Sequence, residues 1–432
     1  MAADAVGGAA GRAAARPAGP GGAAKPALAP AVAPSMLRRM NQRLLLDLLL
    51  RGGPAIRPQL ARGSGLSLPT VIAALRGLEQ TGLVRAAGRI DQQQGRPATV
   101  YEVNPAAGSV VGVHVGPDLL RVLVADLTGE IIGRGEEPTT ARTADALVDQ
   151  VELCVGRAAA AAGLERGAVT HTVIGAPGVL DPGHGLIRYA EHLPGWQQPG
   201  LAENLAARLG GALTIENDAN LAALGEHALG IARGLEDFVY LHVGGGVGLG
   251  LVLGGRLYRG RGAAGEVGFL PLGDPRFADS PRGMLEESVA VDAVLRGARR
   301  AGMHGSAEPG RAAAAEALAS DAPTVDEVFA AAAAGNERAR ATVATIGGHL
   351  GALVVGIEAF LDPELIVLGG QIGRHLELLL PYLRATLART PLRAELAVSE
   401  LGGEAVLRGA IAVGLSAARE TVFNDRATPS GP

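Results

Sequence analysis

The glycine-rich segment at residues 244–250 offers a backbone that can come close to a phosphate group. It reads Gly244-Gly245-Gly246-Val247-Gly248-Leu249-Gly250 and follows the apolar run 238–243, which predicts a strand. A dinucleotide-binding loop also follows a strand, but it must open a helix whose N-terminus receives the pyrophosphate. Here the glycines continue into the apolar residues 251–253, closed by Gly254 and Gly255. The pattern therefore indicates a β-hairpin rather than a Rossmann loop.

A second group of polar residues, Glu216-Asn217-Asp218-Ala219-Asn220, follows the apolar residues 212–215 and opens a predicted helix. An Asn or Asp at such a point caps the helix by accepting a hydrogen bond from a backbone N–H group. Carboxylate oxygens also accept paired hydrogen bonds from adjacent hydroxyl groups of a ligand. The sequence is compatible with a structural cap and with a ligand-binding site, and it leaves both roles open.

Residues 36–104 have the pattern of a winged helix-turn-helix. Leucines at 44, 45, 48 and 49 predict a first helix that ends at Gly52-Gly53, and a second helix runs from about Pro58 to Gly63. Ser67 caps a third helix with an apolar stripe at 68, 71, 72, 75 and 78. Residues 83–103 then predict two strands around a polar tip at 91–97. This order is typical of DNA-binding domains with a wing.

The third helix and the wing supply the candidate DNA contacts. The first residues of that helix would face the major groove, where Thr70 offers a direct hydrogen bond. Arg96, held extended between Gly95 and Pro97, suits a narrow minor groove. A plain surface hairpin would also explain the wing, but the adjacent helices favour DNA binding. The candidate DNA-binding residues are Arg57, Ser67, Leu68, Pro69, Thr70, Ala73 and Arg96.

The charge distribution separates a basic N-terminal part from an acidic body. Residues 36–104 hold ten arginines against four acidic residues, a charge of +6, and residues 1–35 carry +2. The whole chain has a net charge of −4, which leaves −12 for the remaining residues. A basic module tethered to an acidic body is typical of a nucleic-acid reader joined to a regulatory domain, although any protein surface carries charge somewhere.

Composition limits the remaining possibilities. Residues 1–35 are rich in Ala, Gly and Pro without periodicity, so we expect a disordered leader, or a start site that in fact lies at Met36. The single cysteine, Cys154, lies in an apolar helical pattern and is interpreted as core filler. The N-terminus lacks a signal peptide and no long uninterrupted apolar run is present, so we expect a cytoplasmic protein without membrane contact.

After Asn104 the pattern changes to alternating strands and helices, which favours an α/β fold. Strands are predicted at 110–115, 119–126, 130–132, 170–175, 212–216, 237–243, 249–253 and 364–368. Helices are predicted at 144–163, 201–209, 219–229, 325–335, 338–360 and 376–389.

Several of these motifs together resemble the ROK family of sugar kinases and NagC/XylR-type transcriptional regulators. The N-terminal likeness rests on Leu60-Ala61, Gly65-Leu66-Ser67, Leu78, Gly82-Leu83-Val84 and Gly95-Arg96-Pro97. The likeness of the body, from Val110 to about Ser416, rests on the glycines of 244–250 followed by Gly254, Gly260, Ala264-Gly265-Glu266 and Gly268. The resemblance implies a winged helix-turn-helix joined to a two-lobed actin-like ATPase (ribonuclease H-like) domain over residues 105–432, with a hinge near 225–236.

The same resemblance implies a sugar-binding pocket. In ROK kinases the aspartate that matches Asp218 removes a proton from a sugar hydroxyl, and the asparagine that matches Asn217 binds the sugar. The segments 175–178 and 193–196 resemble the pocket walls, and Trp196 has core packing as its structural alternative. The sugar-binding residues that the resemblance implies are Gly178, Asn217, Asp218, Glu266 and Glu286.

The sequence departs from a ROK kinase at the ATP-phosphate motifs. The first phosphate turn, normally Asp followed by Gly-Gly-Thr, has His114 and then Gly116-Pro117-Asp118, and proline removes a backbone donor. The second phosphate loop has Gly245 where a threonine is usual. Because phosphoryl transfer depends on positioning and charge neutralisation, we expect no catalytic residues and no kinase activity.

The zinc site of the family is also replaced. The positions of its histidine and three cysteines hold Phe269, Phe277, Asp279 and Met284, and a single carboxylate makes no tetrahedral site. We therefore expect no metal and no cofactor. His192 stands where family members often have Asn.

These observations predict a transcriptional regulator of carbohydrate metabolism, a repressor whose DNA affinity responds to a sugar or sugar phosphate in a degenerate kinase cleft. The expected partners are an operator with an inverted repeat and further copies of the chain in a homodimer or homotetramer. One alternative is an active ROK kinase with a DNA-binding domain, which the intact Asn217-Asp218 pair permits. Another is a ligand-independent repressor, which Phe269 and His192 permit.

Overall fold

The fold divides into an N-terminal DNA-binding-type domain and a two-lobed body. The computed structural model describes residues 34–90, 97–165, 167–181, 186–188, 196–303 and 323–427. The predicted leader, apart from its last two residues, and the wing tip with Arg96 lie outside the described residues, as does His192.

The N-terminal domain contains three helices and a three-stranded sheet of order β1-β3-β2. Its elements are α1 (Pro34–Gly52), β1 (Ala55–Ile56), α2 (Arg57–Ser64), α3 (Leu68–Gln80), β2 (Val84–Ile90) and β3 (Ala98–Val103). Ser67 caps α3 as predicted, accepting a hydrogen bond from the Thr70 amide. The short strand β1, which pairs Ala55 with Tyr101, was not predicted because two residues carry no period. Helix α1 begins two residues before the predicted start at Met36.

The first lobe is built on a five-stranded sheet of order β10-β7-β4-β5-β6. Its elements are β4 (Ser109–Val115), β5 (Leu119–Asp126), β6 (Ile131–Pro138), α4 (Ala144–Ala161), β7 (His171–Ala176), β8 (Val179–Asp181), β9 (Leu186–Arg188), α5 (Leu201–Leu209), β10 (Ala212–Asn217) and α6 (Asp218–Leu229). Strands β4, β7 and β10 run parallel, so their carboxyl ends lie at one edge of the sheet.

The second lobe is built on a second five-stranded sheet, of order β13-β12-β11-β14-β15. Its elements are β11 (Phe238–Val243), β12 (Val247–Leu253), β13 (Arg256–Leu257), α7 (Met284–Val289), α8 (Val291–Arg300), α9 (Val325–Ala333), α10 (Glu337–Leu361), β14 (Leu365–Gly369), α11 (Gly370–Gly373), α12 (Leu376–Leu387) and β15 (Leu396–Val398). Antiparallel β11 and β12 form the hairpin predicted from residues 244–250. The two lobes have the predicted actin-like, ribonuclease H-like arrangement.

The final helix, α13 (Ala405–Ala427), returns from the second lobe to the first and then reaches the N-terminal domain. Its Leu407 and Ile411 share one hydrophobic core with β5, while Val422 and Phe423 extend that core to α1 and α3. The sequence pattern did not predict α13, nor α7 and α8. Helix α13 was not predicted because it packs on α6, on a sheet and on a second domain. Its apolar residues therefore do not form a single stripe.

Helix α10 is the one helix, among the described residues, that is long and apolar enough to cross a membrane. Its 25 residues reach a mean hydropathy of 1.6 over an 18-residue window, and half of that window is buried. Leu350, Leu353 and Val354 lie in the core of the second lobe. A buried core helix of a folded domain produces the same length and composition.

Candidate functional site

A small cavity of about 70 Å³ lies between the two lobes. The carboxyl end of β10, the loop after β7, the β11–β12 hairpin and the start of α7 all contribute to its wall. The five residues predicted to bind sugar line this one cavity, which is formed by Pro177, Gly178, Asn217, Asp218, Ala219, His242, Gly246, Val247, Gly248, Leu249, Gly265, Glu266 and Glu286. Residues more than 100 positions apart in sequence therefore meet at one site.

Asn217 and Asp218 are placed by the junction of β10 and α6. The Asn217 side chain accepts a hydrogen bond from the Asn220 amide, so it is the helix cap. Its Nδ2 group also donates to the Gly178 carbonyl at 3.1 Å, which ties the cap to the loop after β7. The two roles left open by the sequence are thus compatible, because the cap orients Asn217 while Asp218, the first residue of α6, faces the cavity.

The two glutamates come from the second lobe. Glu266 follows Gly265, which has φ +97° and packs so closely that an added Cβ would lie 2.1 Å from the Leu249 carbonyl oxygen. Glycine is required there, and it turns the chain so that Glu266 faces Asp218. Glu286 is held more tightly, since it accepts hydrogen bonds from the Val247 amide at 3.1 Å and from Arg282 Nε at 3.0 Å.

The electrostatics of the cavity are dominated by these three carboxyl groups. Burial raises the pKa of Glu266 to about 7, and the negative charges of Asp218 and Glu286 add to the effect. At neutral pH the Glu266 carboxyl group is therefore protonated in some molecules and ionised in the others, so it can either donate or accept a hydrogen bond. An acidic cavity that both donates and accepts hydrogen bonds suits the hydroxyl groups of an uncharged polyol and repels an anion.

His242, which also lines the cavity, was not among the predicted site residues. It is the penultimate residue of β11, just before the turn of the hairpin. Its side chain lies on the same face of the strand as Phe238 and Tyr240. Phe238 and Tyr240 belong to the core between the lobes. The sequence signal that could have identified His242 is the alternation of side chains along β11. This alternation places a polar ring on the inter-lobe face where the strand ends.

The predicted phosphate positions lie close to one another. A Cβ added to Gly245 would lie 4.0 Å from Cγ of Pro117. The Gly116 amide donates to the Leu119 carbonyl at 2.9 Å, and Pro117 has no amide hydrogen. The carbonyl oxygens of Gly116 and Asp118 accept hydrogen bonds from Thr139. The first turn therefore satisfies its backbone groups internally.

His114 stands where the family has an aspartate, and it carries no negative charge. Its Nδ1 accepts a hydrogen bond from Arg121 Nη2 at 2.9 Å. Burial, together with the nearby Arg121 and His242, lowers the pKa of His114 to about 3. A neutral imidazole that accepts a hydrogen bond from arginine therefore occupies the position that the resemblance matches to the kinase aspartate.

The four positions that the resemblance matches to the family's zinc site, Phe269, Phe277, Asp279 and Met284, all lie in the second lobe. Phe269 is 43% exposed, and the Phe277 ring lies 4.8 Å from the Arg296 guanidinium carbon. Asp279 is exposed and Met284 begins α7. Among the described residues, no group of three or more His, Cys, Asp or Glu side chains has an arrangement that could hold a metal ion.

Two further residues have structural roles. Trp196 is 1% exposed and packs in the core of the first lobe, and it is not among the residues that line the cavity. Cys154 is buried in that core, as predicted, and burial raises the pKa of its thiol to about 11.

Some of the predicted DNA-binding residues are exposed to solvent and others are half-buried. Ser67, Leu68, Pro69 and Ala73 are exposed and Thr70 is half-buried. The hydroxyl groups of Ser67 and Thr70 lie 2.8 Å apart and share a hydrogen bond. Arg57 donates to the Tyr101 hydroxyl and packs over its ring, so its guanidinium is engaged inside the domain.

Helix α13 connects the cavity region to the DNA-binding-type domain. Gly409 lets α13 approach α6 so closely that an added Cβ would lie 1.8 Å from the Leu221 carbonyl oxygen. At the far end, Arg426 donates to the carbonyl oxygens of Ala107 and Thr81 at 2.7 and 3.3 Å. Arg39 of α1 donates to Asn424. One helix thus touches α6, which begins at Asp218, and the helices of the N-terminal domain.

The crossings between the lobes are joined by a buried carboxyl group. Glu226 of α6 is fully buried and accepts hydrogen bonds from the Ile231 amide, the Leu401 amide and the Ser399 hydroxyl. Ile231 lies on the first crossing, between α6 and β11, and the other two lie on the return to α13. The first crossing coincides with the predicted hinge near 225–236.

A winged helix joined to a two-lobed, sugar-kinase-like body defines a class of regulatory proteins, and comparison with known proteins identifies the family. The ROK family model matches residues 110–416. The chain belongs to the ROK family.

The most similar proteins include regulators and kinases. A xylose repressor of Caldicellulosiruptor bescii is 26% identical over 388 residues, which cover 86% of this chain and 94% of the repressor. A ROK transcriptional regulator, a homologue of the E. coli MLC protein, has a similar fold with a TM-score of 0.69 at 23% identity, covering 90% of this chain and 99% of the regulator. The ROK hexokinase of Thermus thermophilus has a TM-score of 0.57 at 30% identity, covering 72% of this chain and 99% of the hexokinase.

Proposed function

We propose that this protein is a cytoplasmic, sugar-responsive repressor of carbohydrate metabolism that binds operator DNA through its N-terminal domain. The observation that carries the proposal is the continuous core that α13 makes with the first lobe, α1 and α3. A kinase has no need of a basic reading domain packed into its body. The xylose repressor similar to most of this chain supports the same function.

The proposed ligand is a sugar or sugar phosphate, and the charge of the cavity favours an uncharged sugar. Asp218, Glu266 and Glu286 line the cavity. The cation near them, Arg282, is already paired with Glu286 and Asp292. A phosphate group would meet these carboxylates at close range, whereas sugar hydroxyl groups would hydrogen-bond to them.

Ligand binding would change the affinity for DNA by changing the relative position of the two lobes. A sugar that contacts Asp218 from the first lobe and Glu266 from the second favours one angle between the lobes. Because α13 packs on α6 and continues into the N-terminal domain, a change in that angle moves the base of the reading helices. Two copies, as a homodimer or within a homotetramer, would present two such helices to an inverted repeat.

The proposal is tested by selecting duplex DNA from a random pool with the full-length protein and then measuring affinity in a panel of pentoses and hexoses. We expect half-sites about 34 Å apart, or a multiple of that distance, and weaker binding with one sugar. Selection of no sequence would contradict the proposal. Specific binding that no sugar changes, together with no thermal shift, would instead identify a ligand-independent repressor.

Sugar-dependent ATP consumption is expected to be undetectable, although ROK kinases are relatives. Pro117 and Gly245 remove phosphate contacts, and His114 replaces the family carboxylate. The measurement is a coupled assay for ADP with magnesium, ATP and each sugar. Turnover that depends on sugar and disappears in Asp218→Asn would establish the kinase alternative.

Arg96→Ala is expected to weaken operator binding by about 1 to 3 kcal/mol and to flatten the preference for A·T pairs at one flank. The reason is that a narrow minor groove concentrates negative potential around an inserted arginine. Fluorescence anisotropy over a salt series provides the measurement. Arg38→Ala is the control, since loss of an exposed arginine at a phosphate lowers affinity evenly and reduces the salt slope by about one. Unchanged binding by Arg96→Ala would exclude the wing contact.

A further inference from the structure

Helix α3 exposes one face along its whole length. Pro69, Ala73, Arg76 and Gln80 follow one another at intervals of four, three and four residues, and all four are exposed. The opposite face, with Val71, Ala74, Leu75 and Leu78, is buried in the core of the domain. The reading surface therefore extends well beyond the N-terminal residues that the sequence pattern indicated.

Arg76 is the charged residue on this face, and its guanidinium is unengaged. Within the described part of the chain it makes no hydrogen bond and no ion pair. Three other arginines of the domain are engaged, since Arg43 pairs with Asp47, Arg85 pairs with Glu102, and Arg57 is bound to Tyr101. A free guanidinium in the middle of an exposed helical face has its full donor capacity for a ligand.

The neighbouring side chains let the helix come close to DNA. Pro69 and Ala73 are small, so the first half of this face lets the backbone of α3 come close to the floor of the major groove. Thr70, the other candidate donor, already shares its hydroxyl hydrogen bond with Ser67. Arg76 lies seven residues after Pro69, about 10 Å or three base-pair steps along the helix axis, within the span of one half-site.

We propose that Arg76 reads a guanine base in the major groove, and this inference rests on the DNA binding proposed above. A guanidinium donates two parallel hydrogen bonds to O6 and N7 of guanine, a pair that no other base presents. Arg76 then determines one G·C position in each half-site, while Pro69 and Leu68 make apolar contacts near the tip of the helix.

The test uses operator DNA selected with the full-length wild-type protein, with binding measured by fluorescence anisotropy. Arg76→Ala should bind the selected site about 5- to 150-fold more weakly. It should lose no further affinity when the recognised G·C pair is changed to A·T, whereas the wild type should lose affinity by the same factor. Arg62→Ala is the matched control, because Arg62 is also exposed on a helix of this domain without a partner among the described residues, and it should keep the G·C preference.

A second variant separates charge from geometry. Arg76→Lys keeps the positive charge but lacks the planar pair of donors, so it should retain binding to unrelated DNA and lose the G·C preference. Thermal unfolding monitors folding, which alanine in a helix does not impair.

Two results would overturn the inference. One is an Arg76→Ala variant that keeps the G·C preference, and the other is an even loss of affinity on all sequences with a reduced salt slope, which marks a phosphate contact. If the wild-type protein selects no DNA sequence at all, both the proposed DNA binding and the inference about Arg76 are contradicted.

Discussion

Glu266→Gln is expected to stabilise the protein at pH 8 and to change its stability little at pH 5. Burial and two neighbouring carboxyl groups raise the pKa of Glu266 from 4.5 to about 7. Because the folded-state pKa lies above the unfolded one, the favourable contribution is full below pH 4.5 and is lost as the pH rises through 7. A shift of this size corresponds to about 3 kcal/mol.

The measurement is the free energy of unfolding in urea between pH 5 and pH 8, for wild type and variant without ligand. Glutamine resembles the protonated carboxyl group in shape but cannot ionise, so the difference between the two proteins should grow with pH. Glu203→Gln is the control, because Glu203 is exposed on α5 and lies outside the cavity. A Glu266→Gln difference that is constant with pH would contradict the clustering of the three carboxyl groups.

Asp218→Ala is expected to weaken ligand binding without unfolding the protein. A carboxylate that accepts hydrogen bonds from ligand hydroxyl groups contributes about 1.5 to 3 kcal/mol, so the dissociation constant should rise by about 10- to 150-fold. Glu266→Ala should have an effect of the same order. The readout is the thermal shift and the calorimetric affinity for whichever sugar in the panel stabilises the wild type.

The control for this experiment is Asp279→Ala, which removes an exposed carboxylate of the second lobe outside the cavity. It should bind the sugar like the wild type. Full ligand-induced stabilisation in both Asp218→Ala and Glu266→Ala would place the ligand elsewhere. The operator affinity of unliganded Asp218→Ala should equal that of the wild type, so the variant should behave as a repressor that sugar does not release.

Helix α6 joins the cavity to the first crossing between the lobes. Glu226 links the two crossings through buried hydrogen bonds to the Ile231 and Leu401 amides. Asp218 is eight residues before Glu226 on the same helix, at the end that faces the ligand. Under the proposed function, a change in the angle between the lobes would therefore be passed to α13, which packs on the N-terminal domain.

The sequence by itself determined the local structure and the identity of the pocket residues. The period of 3.6 with glycine stops predicted α1 to α3, and the glycine spacing predicted the β11–β12 hairpin. Family resemblance chose Gly178, Asn217, Asp218, Glu266 and Glu286, which line one cavity. The predictions of the helices and the hairpin succeed because capping, turns and amphipathic stripes depend on residues close together in the chain.

Only the tertiary structure decided which residues act together across the chain. The engagement of Arg57 by Tyr101, the freedom of Arg76 and the presence of His242 in the cavity all depend on contacts between distant segments. Helix α13 was missed for the same reason, since its apolar residues serve three different partners and show no single period. The pKa of Glu266 likewise follows from burial and from carboxyl groups 48 and 20 residues away, which a local pattern does not contain.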